Sequence, residues 1–468
     1  MLKNYLTIAV RTLRKQLGYT VITVGGLALG LACAFLIVLF IQHERSFDRF
    51  HDHGDRIVRL LPIWDGSPKA STPAGLAPDI QAAFPDIEAF VRVQPARRPY
   101  LKVGGESRRV EGYALADPTV FEVFDGFELL RGDPATALAD PHSLVLTERA
   151  AGALFGAEDP LGQTVTYGGG ADLTVTGLMA DPPPNSSLDF DYLGSFDYIA
   201  EQHGAGALTD YTNHNYLTFF LLRPGTDIGA LEAKMTEWGR ERLFEDDPDA
   251  GPLAALQPLA AIHLTPGVVF EYLPTRDPRY LYVFGAVAVL ILLIAAVNFT
   301  NLATARAVQR AREVGVRKAV GADRGQLVAQ FLGESVLLGT LGIAVALALV
   351  VLLLPVFNDV IGADIRFGME GLQTVALLVG IGLAVGLLSG AYPALYLSAF
   401  DPSRVLKGEL TRGSGGTWLR RGLIVFQFAV SVVLIVGTLT VHDQLRYMRA
   451  QDLGFDREQI LFFAQSPD

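Results

Sequence analysis

The chain has 468 residues, of which 50% are hydrophobic and 19% are charged, and its mean hydropathy is +0.32. This composition is too apolar for a typical soluble protein and too charged for a chain that lies wholly in lipid. The formal net charge of −11 is uneven, because residues 43–279 carry an excess of about 17 acidic charges while the rest is basic. An acidic soluble region excludes nucleic acid as a partner, since phosphate binding needs clustered Lys and Arg. The single cysteine, Cys33, excludes an intrachain disulfide and gives no metal site.

Residues 1–18 place apolar side chains along one helical stripe, which is typical of an amphipathic helix in the membrane interface. An amphipathic extension of the first span is the alternative. Five later stretches are apolar over about 20 residues, the length that crosses a bilayer core as a helix. The predicted spans are residues 19–42, 280–302, 328–357, 374–397 and 423–441.

Basic residues give the orientation of these spans, because short cytoplasmic loops hold an excess of Lys and Arg. They are concentrated in the N-terminal segment, in residues 303–327 and in the linker 398–422, whereas the connection between the third and fourth spans is mostly acidic. This pattern predicts a multi-pass protein of the bacterial inner membrane with a cytoplasmic N-terminus. Residues 43–279 and the tail 442–468 would then lie on the extracytoplasmic face.

The outer block, residues 43–279, alternates β-like and helical patterns that are separated by Pro and Gly. Strands are predicted at residues 57–61, 89–93, 100–103, 164–167, 173–177 and 217–222, and helices at 78–84, 147–155 and 228–243. The predicted fold class is a membrane α-helical bundle of about five spans. A large α+β extracytoplasmic domain of two lobes would be inserted between the first and second spans.

Motifs that bind nucleotide or support hydrolysis are missing from the sequence. It has no Gly-x-x-x-x-Gly-Lys-Ser/Thr loop, no His-Glu-x-x-His, no Gly-x-Ser-x-Gly and no Cys-x-x-Cys. We therefore expect no catalytic residue, no metal and no cofactor. His51, Asp52 and His53 are the best metal candidates, but alternating side chains of an extended segment point apart, which favours a solvated or structural role.

The segment after the second span, residues 303–327, is basic and carries an ordered helical pattern. A helix leaves the membrane here and is broken at Gly321, and Asp323 can cap the next helix. The result would be a short, rigid elbow that is suited to a groove on another protein. A charged loop that only sets topology is the alternative, although topology requires neither Glu313, Gly315 nor the break.

Small residues recur at every fourth position in two of the spans, and this spacing lets helices approach closely in lipid. The candidate packing residues are Gly26 and Gly30 in the first span, and Gly382, Gly386 and Gly390 in the fourth. Glycine without a contact role is the alternative. Glu334 lies near the inner interface, so it is expected to brace the elbow rather than to relay protons.

Long motifs occur in the elbow and in the outer block. The elbow region contains Arg312-Glu313-Val314-Gly315-Val316-Arg317-Lys318-Ala319, Gly321-Ala322 and Gln330-Phe331-Leu332-Gly333-Glu334-Ser335. The outer block contains Asp48-Arg49-Phe50-His51, Val145-Leu146-Thr147-Glu148 and Asp159-Pro160-Leu161-Gly162-Gln163-Thr164. Together these motifs resemble the FtsX/MacB/LolCE-type family of ABC transporter permeases, over nearly the whole chain.

The resemblance implies that the loop after the second span contacts a separate nucleotide-binding subunit. Carried over to this sequence, the ATPase-coupling residues would be Arg312, Glu313, Gly315, Arg317, Lys318 and Gly321. The chain would hydrolyse nothing itself but would transmit ATPase-driven motion to the outer domain, for export of a peptide, lipoprotein or toxic amphiphile. A membrane-anchored signalling or scaffold subunit, which senses a ligand or regulates a cell-wall enzyme, is the alternative.

The fifth span departs from the four-span pattern and resembles the two-copy permeases of that family. Residues 420–463 repeat the layout of residues 14–61, with basic residues, an apolar span and a charged stretch that holds an Asp-Arg pair. The chain is therefore interpreted as the first part of a longer protein. Its expected partners are a cytoplasmic ABC ATPase subunit, the lipid bilayer, a second permease copy or repeat, and a periplasmic adaptor or substrate.

Overall fold

The computed structural model describes residues 17–95, 99–168, 170–243, 253–366, 372–398 and 414–451. The predicted interfacial helix at 1–18 lies almost wholly outside the described residues, as do most of the linker 398–422 and of the tail 442–468. The chain divides into two compact units. One unit is formed by apolar helices, and the other, which spans His43–Tyr280, combines strands and helices.

The described residues contain ten α-helices. They are α1 (Leu17–Arg45), α2 (Leu76–Ala83), α3 (Val120–Val123), α4 (Glu148–Phe155), α5 (Tyr198–His203), α6 (Ile228–Leu243), α7 (Arg279–Ala319), α8 (Arg324–Ile361), α9 (Leu372–Ser398) and α10 (Ser414–Ala450). Five of them, α1 and α7 to α10, are long and apolar enough to cross a membrane. These helices and the large mixed unit between the first two confirm the predicted fold class.

The membrane helices extend beyond the predicted spans. Helix α7 has 41 residues, about 60 Å at 1.5 Å per residue, which is twice the thickness of a bilayer core. Hydropathy marks only the part of a helix that crosses lipid, and the polar residues that follow continue the same hydrogen-bonded helix. The predicted elbow therefore consists of the end of α7, a short turn and the start of α8.

The mixed unit contains one sheet of thirteen strands among its described residues. The strands are β1 (Ile57–Trp64), β2 (Ser67–Pro68), β3 (Ile87–Pro95), β4 (Tyr100–Val103), β5 (Glu106–Arg109), β6 (Tyr113–Ala116), β7 (Leu129–Arg131), β8 (Ser143–Thr147), β9 (Thr164–Tyr167), β10 (Ala171–Met179), β11 (Tyr192–Ser195), β12 (Leu217–Leu222) and β13 (Leu253–Pro258). Their order is β13-β1-β12-β3-β6-β11-β8-β10-β9-β4-β5, with β2 on β1 and β7 on β10. Most neighbours are antiparallel, but β6–β11 and β8–β10 are parallel pairs.

Both faces of this sheet are covered. On β1, Ile57 and Leu61 face one hydrophobic cluster, whereas Val58 and Leu60 face another, because successive side chains of a strand point to opposite faces. Helices α2 and α6 pack on the second of these clusters, and α4 and α5 pack on a third cluster around β8 and β10. Two groups of helices thus lie on one continuous sheet in the domain for which two lobes are predicted.

Candidate coupling elbow

Helix α7 ends in a Schellman motif at Gly321. The backbone N–H of Ala322 donates to the Arg317 carbonyl, and the N–H of Gly321 donates to the Lys318 carbonyl, each at 3.0 Å. Gly321 has a φ of +99°, a left-handed conformation that costs other L-residues energy but costs glycine little. The predicted break at Gly321 thus arises from backbone geometry.

Helix α8 begins immediately after this turn. Asp323 has extended dihedral angles and occupies the N-cap position, where its carboxylate accepts a hydrogen bond from the Gly325 N–H at 3.0 Å. This satisfies a backbone donor that has no partner inside the helix. Only four residues, 320–323, separate α7 from α8, so the connection between the two helices is short.

A small apolar core holds the elbow together. Val314 of α7, Leu327 and Phe331 of α8 and Ala394 of α9 are all buried and pack in one cluster. The two arms of the elbow, α7 and α8, are therefore packed on each other and on one further membrane helix, α9. Close-packed side chains resist compression, so this cluster ties the end of α7 to α8 and α9.

Two of the predicted basic contact residues are engaged within the elbow. The Arg317 guanidinium donates to the Gln330 side-chain oxygen at 2.9 Å, and the Lys318 ammonium donates to the Ser398 carbonyl at 2.7 Å. Gln330 in turn donates to Glu334 at 3.3 Å. These bonds join the end of α7 to α8 and to the end of α9, which is a bracing arrangement.

Of the other predicted coupling residues, Gly315 is buried within α7. Arg312 and Glu313 also lie in α7, but their side chains fall outside the described residues. The elbow instead exposes two valines on its outer surface, Val316 at 52% and Val320 at 83%. Sequence reasoning missed them, although two valines four residues apart among basic residues were a usable signal.

Each candidate packing glycine lies against a neighbouring membrane helix. A β-carbon on Gly26 would come within 3.0 Å of the Asn298 amide nitrogen, and one on Gly30 within 2.6 Å of the Ala295 β-carbon, both on α7. The three candidate glycines of α9 face α8 in the same way. Their contacts are Gly382 with Ile343, Gly386 with the Gly339 α-carbon at 3.5 Å, and Gly390 with Ser335.

Comparison with known proteins gives two matching family models. Residues 20–238 match the MacB-like periplasmic core domain, and residues 285–402 match the FtsX-like permease C-terminal domain. The chain belongs to the FtsX/MacB-type permeases of ABC transporters. It is accordingly a multi-pass protein of the inner membrane, and the resemblance found in its motifs is confirmed.

Relatives of this permease include two full-length proteins named macrolide export ATP-binding/permease protein MacB. The one from Aeromonas hydrophila is 23% identical over 83% of this chain and 58% of that protein, and the one from Hyphomonas neptunium is 25% identical over 86% and 60%. The permease thus spans about three fifths of the length of these relatives. The solved periplasmic region of MacB from Actinobacillus actinomycetemcomitans is 16% identical, with a TM-score of 0.34 over 46% of this chain and 92% of that one.

The histidine of the permease's Asp48-Arg49-Phe50-His51 motif serves the fold. The His51 Nδ1 accepts the Gly126 N–H at 3.0 Å, and the ring packs on Phe124 and Phe127. Burial lowers the pKa of His51 to about 4, against an opposing effect of Asp125. Among the described residues no group of three or more His, Cys, Asp or Glu is arranged to hold a metal ion.

Proposed function

We propose that this chain is the membrane subunit that transmits the motion of a cytoplasmic ABC ATPase to the outer domain. The observation that carries the proposal is the pair of exposed valines, Val316 and Val320, on an elbow that is braced from within. Exposed apolar side chains among basic residues suit the surface of a protein partner.

The bracing explains how a push on the elbow would reach the membrane helices. Arg317 holds α8 through Gln330, and Lys318 holds the end of α9 through the Ser398 carbonyl. Further along, the Thr300 hydroxyl of α7 donates to the Ser389 carbonyl of α9 at 3.0 Å. Three helices would therefore move together when the partner changes shape, and α7 continues directly into the polypeptide that leads to the outer domain.

We extend the proposal to the substrate class, which is an amphiphilic compound or peptide exported with energy from the partner. The macrolide export named for the relatives supports this class. The chain itself is the permease, and the nucleotide would be hydrolysed on the partner subunit. The cytoplasmic N-terminus follows from the same proposal, because the elbow has to face the ATPase.

The experiment replaces both exposed valines by aspartate, V316D/V320D, in the full chain. A carboxylate in the centre of an apolar contact is desolvated without a partner, so at least a tenfold loss of ATPase association is expected. Association is measured by co-purification of the ATPase from membranes. Cells should also become as susceptible to an exported macrolide as cells that lack the permease.

The matched control is V360D at the other end of α8. Val360 is 79% exposed, close to the 83% of Val320, and it should tolerate aspartate without any loss of ATPase association. Equal co-purification of V316D/V320D and V360D would refute the elbow as the contact site. Membrane insertion is monitored by the yield of full-length protein in the membrane fraction.

A further inference from the structure

The loop between β13 and α7 exposes three apolar or aromatic side chains within four residues. Val269 is 37% exposed, Phe270 is 59% exposed and Tyr272 is 48% exposed. The residues on either side of them, Val268 and Leu273, are buried in the main core of the outer domain. We call Val269, Phe270 and Tyr272 the aromatic loop tip.

The aromatic loop tip is held rigidly from within the domain. Glu271 accepts two hydrogen bonds from the fully buried Arg59, at 2.8 and 2.6 Å, and Arg59 also donates to Gln257. The Val269 N–H donates to the Pro68 carbonyl at 2.8 Å. The exposed side chains are therefore displayed by a fixed backbone.

The backbone of Phe270 is strained as well as exposed. Its φ of +55° lies in the left-handed region, which is a genuine outlier for a bulky aromatic residue. Such strain persists where the surroundings impose it, and it clusters at sites of function. The Phe270 side chain faces solvent, so it is available to another phase or molecule.

The loop precedes one of the two connections between the outer domain and the membrane helices, and we call the part of the domain at these connections its base. Glu44, at the end of α1, is buried and pairs with His263 at 2.8 Å and with Arg276 at 3.2 Å. His263 also stacks on Phe47, with ring centroids 3.5 Å apart. This cluster joins the polypeptide that leaves α1 to the polypeptide that enters α7, which begins nine residues after Phe270.

We infer that the aromatic loop tip inserts into the interfacial layer of the adjacent leaflet and anchors the base of the outer domain to lipid. Aromatic side chains are enriched where a protein meets the headgroup layer, because their rings tolerate both the apolar and the wet side. Two further exposed tyrosines, Tyr280 and Tyr282, open α7 a few residues later.

Charge near the loop fits the same occupant. Lys69 forms a β-bridge with Val269, and Arg279 begins α7, whereas Arg276 is engaged by the buried Glu44. Lys69 and Arg279 suit the phosphates of a lipid surface, and the apolar tip suits its acyl chains. The inference does not depend on the ATPase contact, since it concerns only the connection between the outer domain and the bilayer.

The test places a tryptophan reporter at the loop in the full chain. The three native tryptophans are replaced in a W64F/W238F/W418F background, and F270W is reconstituted into phosphatidylethanolamine–phosphatidylglycerol vesicles with brominated acyl chains. The control is Y100W, because Tyr100 is 56% exposed and lies on β4, near the opposite edge of the sheet. Bromine should quench F270W emission at least twofold more than Y100W emission, and F270W emission should be blue-shifted.

A second variant separates anchoring from folding. F270G relieves the strain at a positive φ and removes the ring, so a Y272W reporter in that background should lose at least half of its bromine quenching. Equal quenching of F270W and Y100W would overturn the inference. A blue shift without bromine quenching would also overturn it, because it would show that a protein surface covers the loop instead of lipid.

Discussion

In this permease a histidine in a motif that suggests a metal site has a structural role. His51 lies in an Asp-Arg-Phe-His motif, yet the residue is only 6% exposed and its Nδ1 accepts a hydrogen bond from the Gly126 N–H. A β-carbon on Gly126 would come within 2.7 Å of the same nitrogen. The histidine and the glycine therefore form one packing unit, and the histidine is neutral in the folded state.

This neutrality predicts a dependence of stability on pH. The folded pKa of His51 is about 4 against 6.5 in the unfolded chain, so only the unfolded state gains a proton as the pH falls between these values. The contribution of the neutral His51 to the free energy of unfolding is complete above pH 6.5 and is lost towards pH 4. Its total is on the order of 3 kcal/mol. H51N retains an acceptor for Gly126 and should flatten this acid loss, measured by unfolding of the outer domain through Trp64 and Trp238 fluorescence.

The control for this prediction is His142, whose pKa is shifted in the opposite direction. A hydrogen bond with the Asp172 carbonyl raises the pKa of His142, so its protonation favours the folded state and the stabilisation disappears as the pH rises. H142N should therefore steepen the acid loss that H51N flattens. If both variants keep the wild-type pH profile, the assignment of the acid sensitivity to His51 is wrong.

At the scale of elements, helix contacts in the membrane unit depend on missing side chains. Without a hydrophobic driving force between helices in lipid, close van der Waals packing holds them together. A β-carbon at Gly382 overlaps the Ile343 side chain of α8, whereas one at Gly380, half a turn away, meets nothing within 4 Å. The two positions hold the same residue type in the same helix and differ only in how closely the neighbouring helix approaches.

Alanine at these two positions should separate packing from helix propensity. G382A is expected to destabilise the membrane unit by about 1–3 kcal/mol through overpacking, while G380A is neutral or slightly stabilising. I343A should restore the stability of G382A, because it removes the atoms that the new methyl group meets. The measurement is the detergent-denaturation midpoint of α-helical circular dichroism, and equal midpoints for G380A and G382A would contradict it.

Sequence patterns were sufficient to predict most of the helices and strands and parts of the elbow. The strands at 57–61 and 217–222 and the helix at 228–243 follow from periodicity, and the helix break follows from Gly321 and Asp323. Periodicity depends on local contacts, so it cannot give the order of strands such as β13 beside β1, which are about 190 residues apart.

The orientation of the elbow side chains also could not be predicted from the sequence. Arg317 and Lys318 match a coupling motif, but their hydrogen bonds depend on Gln330 and on the Ser398 carbonyl of another helix. The exposed valines, Val316 and Val320, became visible only when the packing of Val314 showed which face of α7 is buried. The motif locates the elbow, whereas tertiary packing decides which of its residues are exposed.

For the whole molecule, the asymmetry of charge predicts which side each unit faces. The outer block is acidic, and the elbow carries Arg306, Arg310, Arg312, Arg317, Lys318 and Arg324. Keeping such a cluster in the cytoplasm is the main determinant of orientation for short loops. The elbow and the outer domain should therefore be accessible from opposite sides of the membrane.

Cysteine labelling tests this topology directly, because the chain has one native cysteine that can be removed as C33A. In that background Y100C reports on the outer domain and V320C on the tip of the elbow, at two well-exposed positions. In intact spheroplasts a membrane-impermeant maleimide should label Y100C and leave V320C unlabelled until the membrane is lysed. Labelling of V320C before lysis would place the elbow outside, where no cytoplasmic ATPase could reach it, and the proposed coupling would then be impossible.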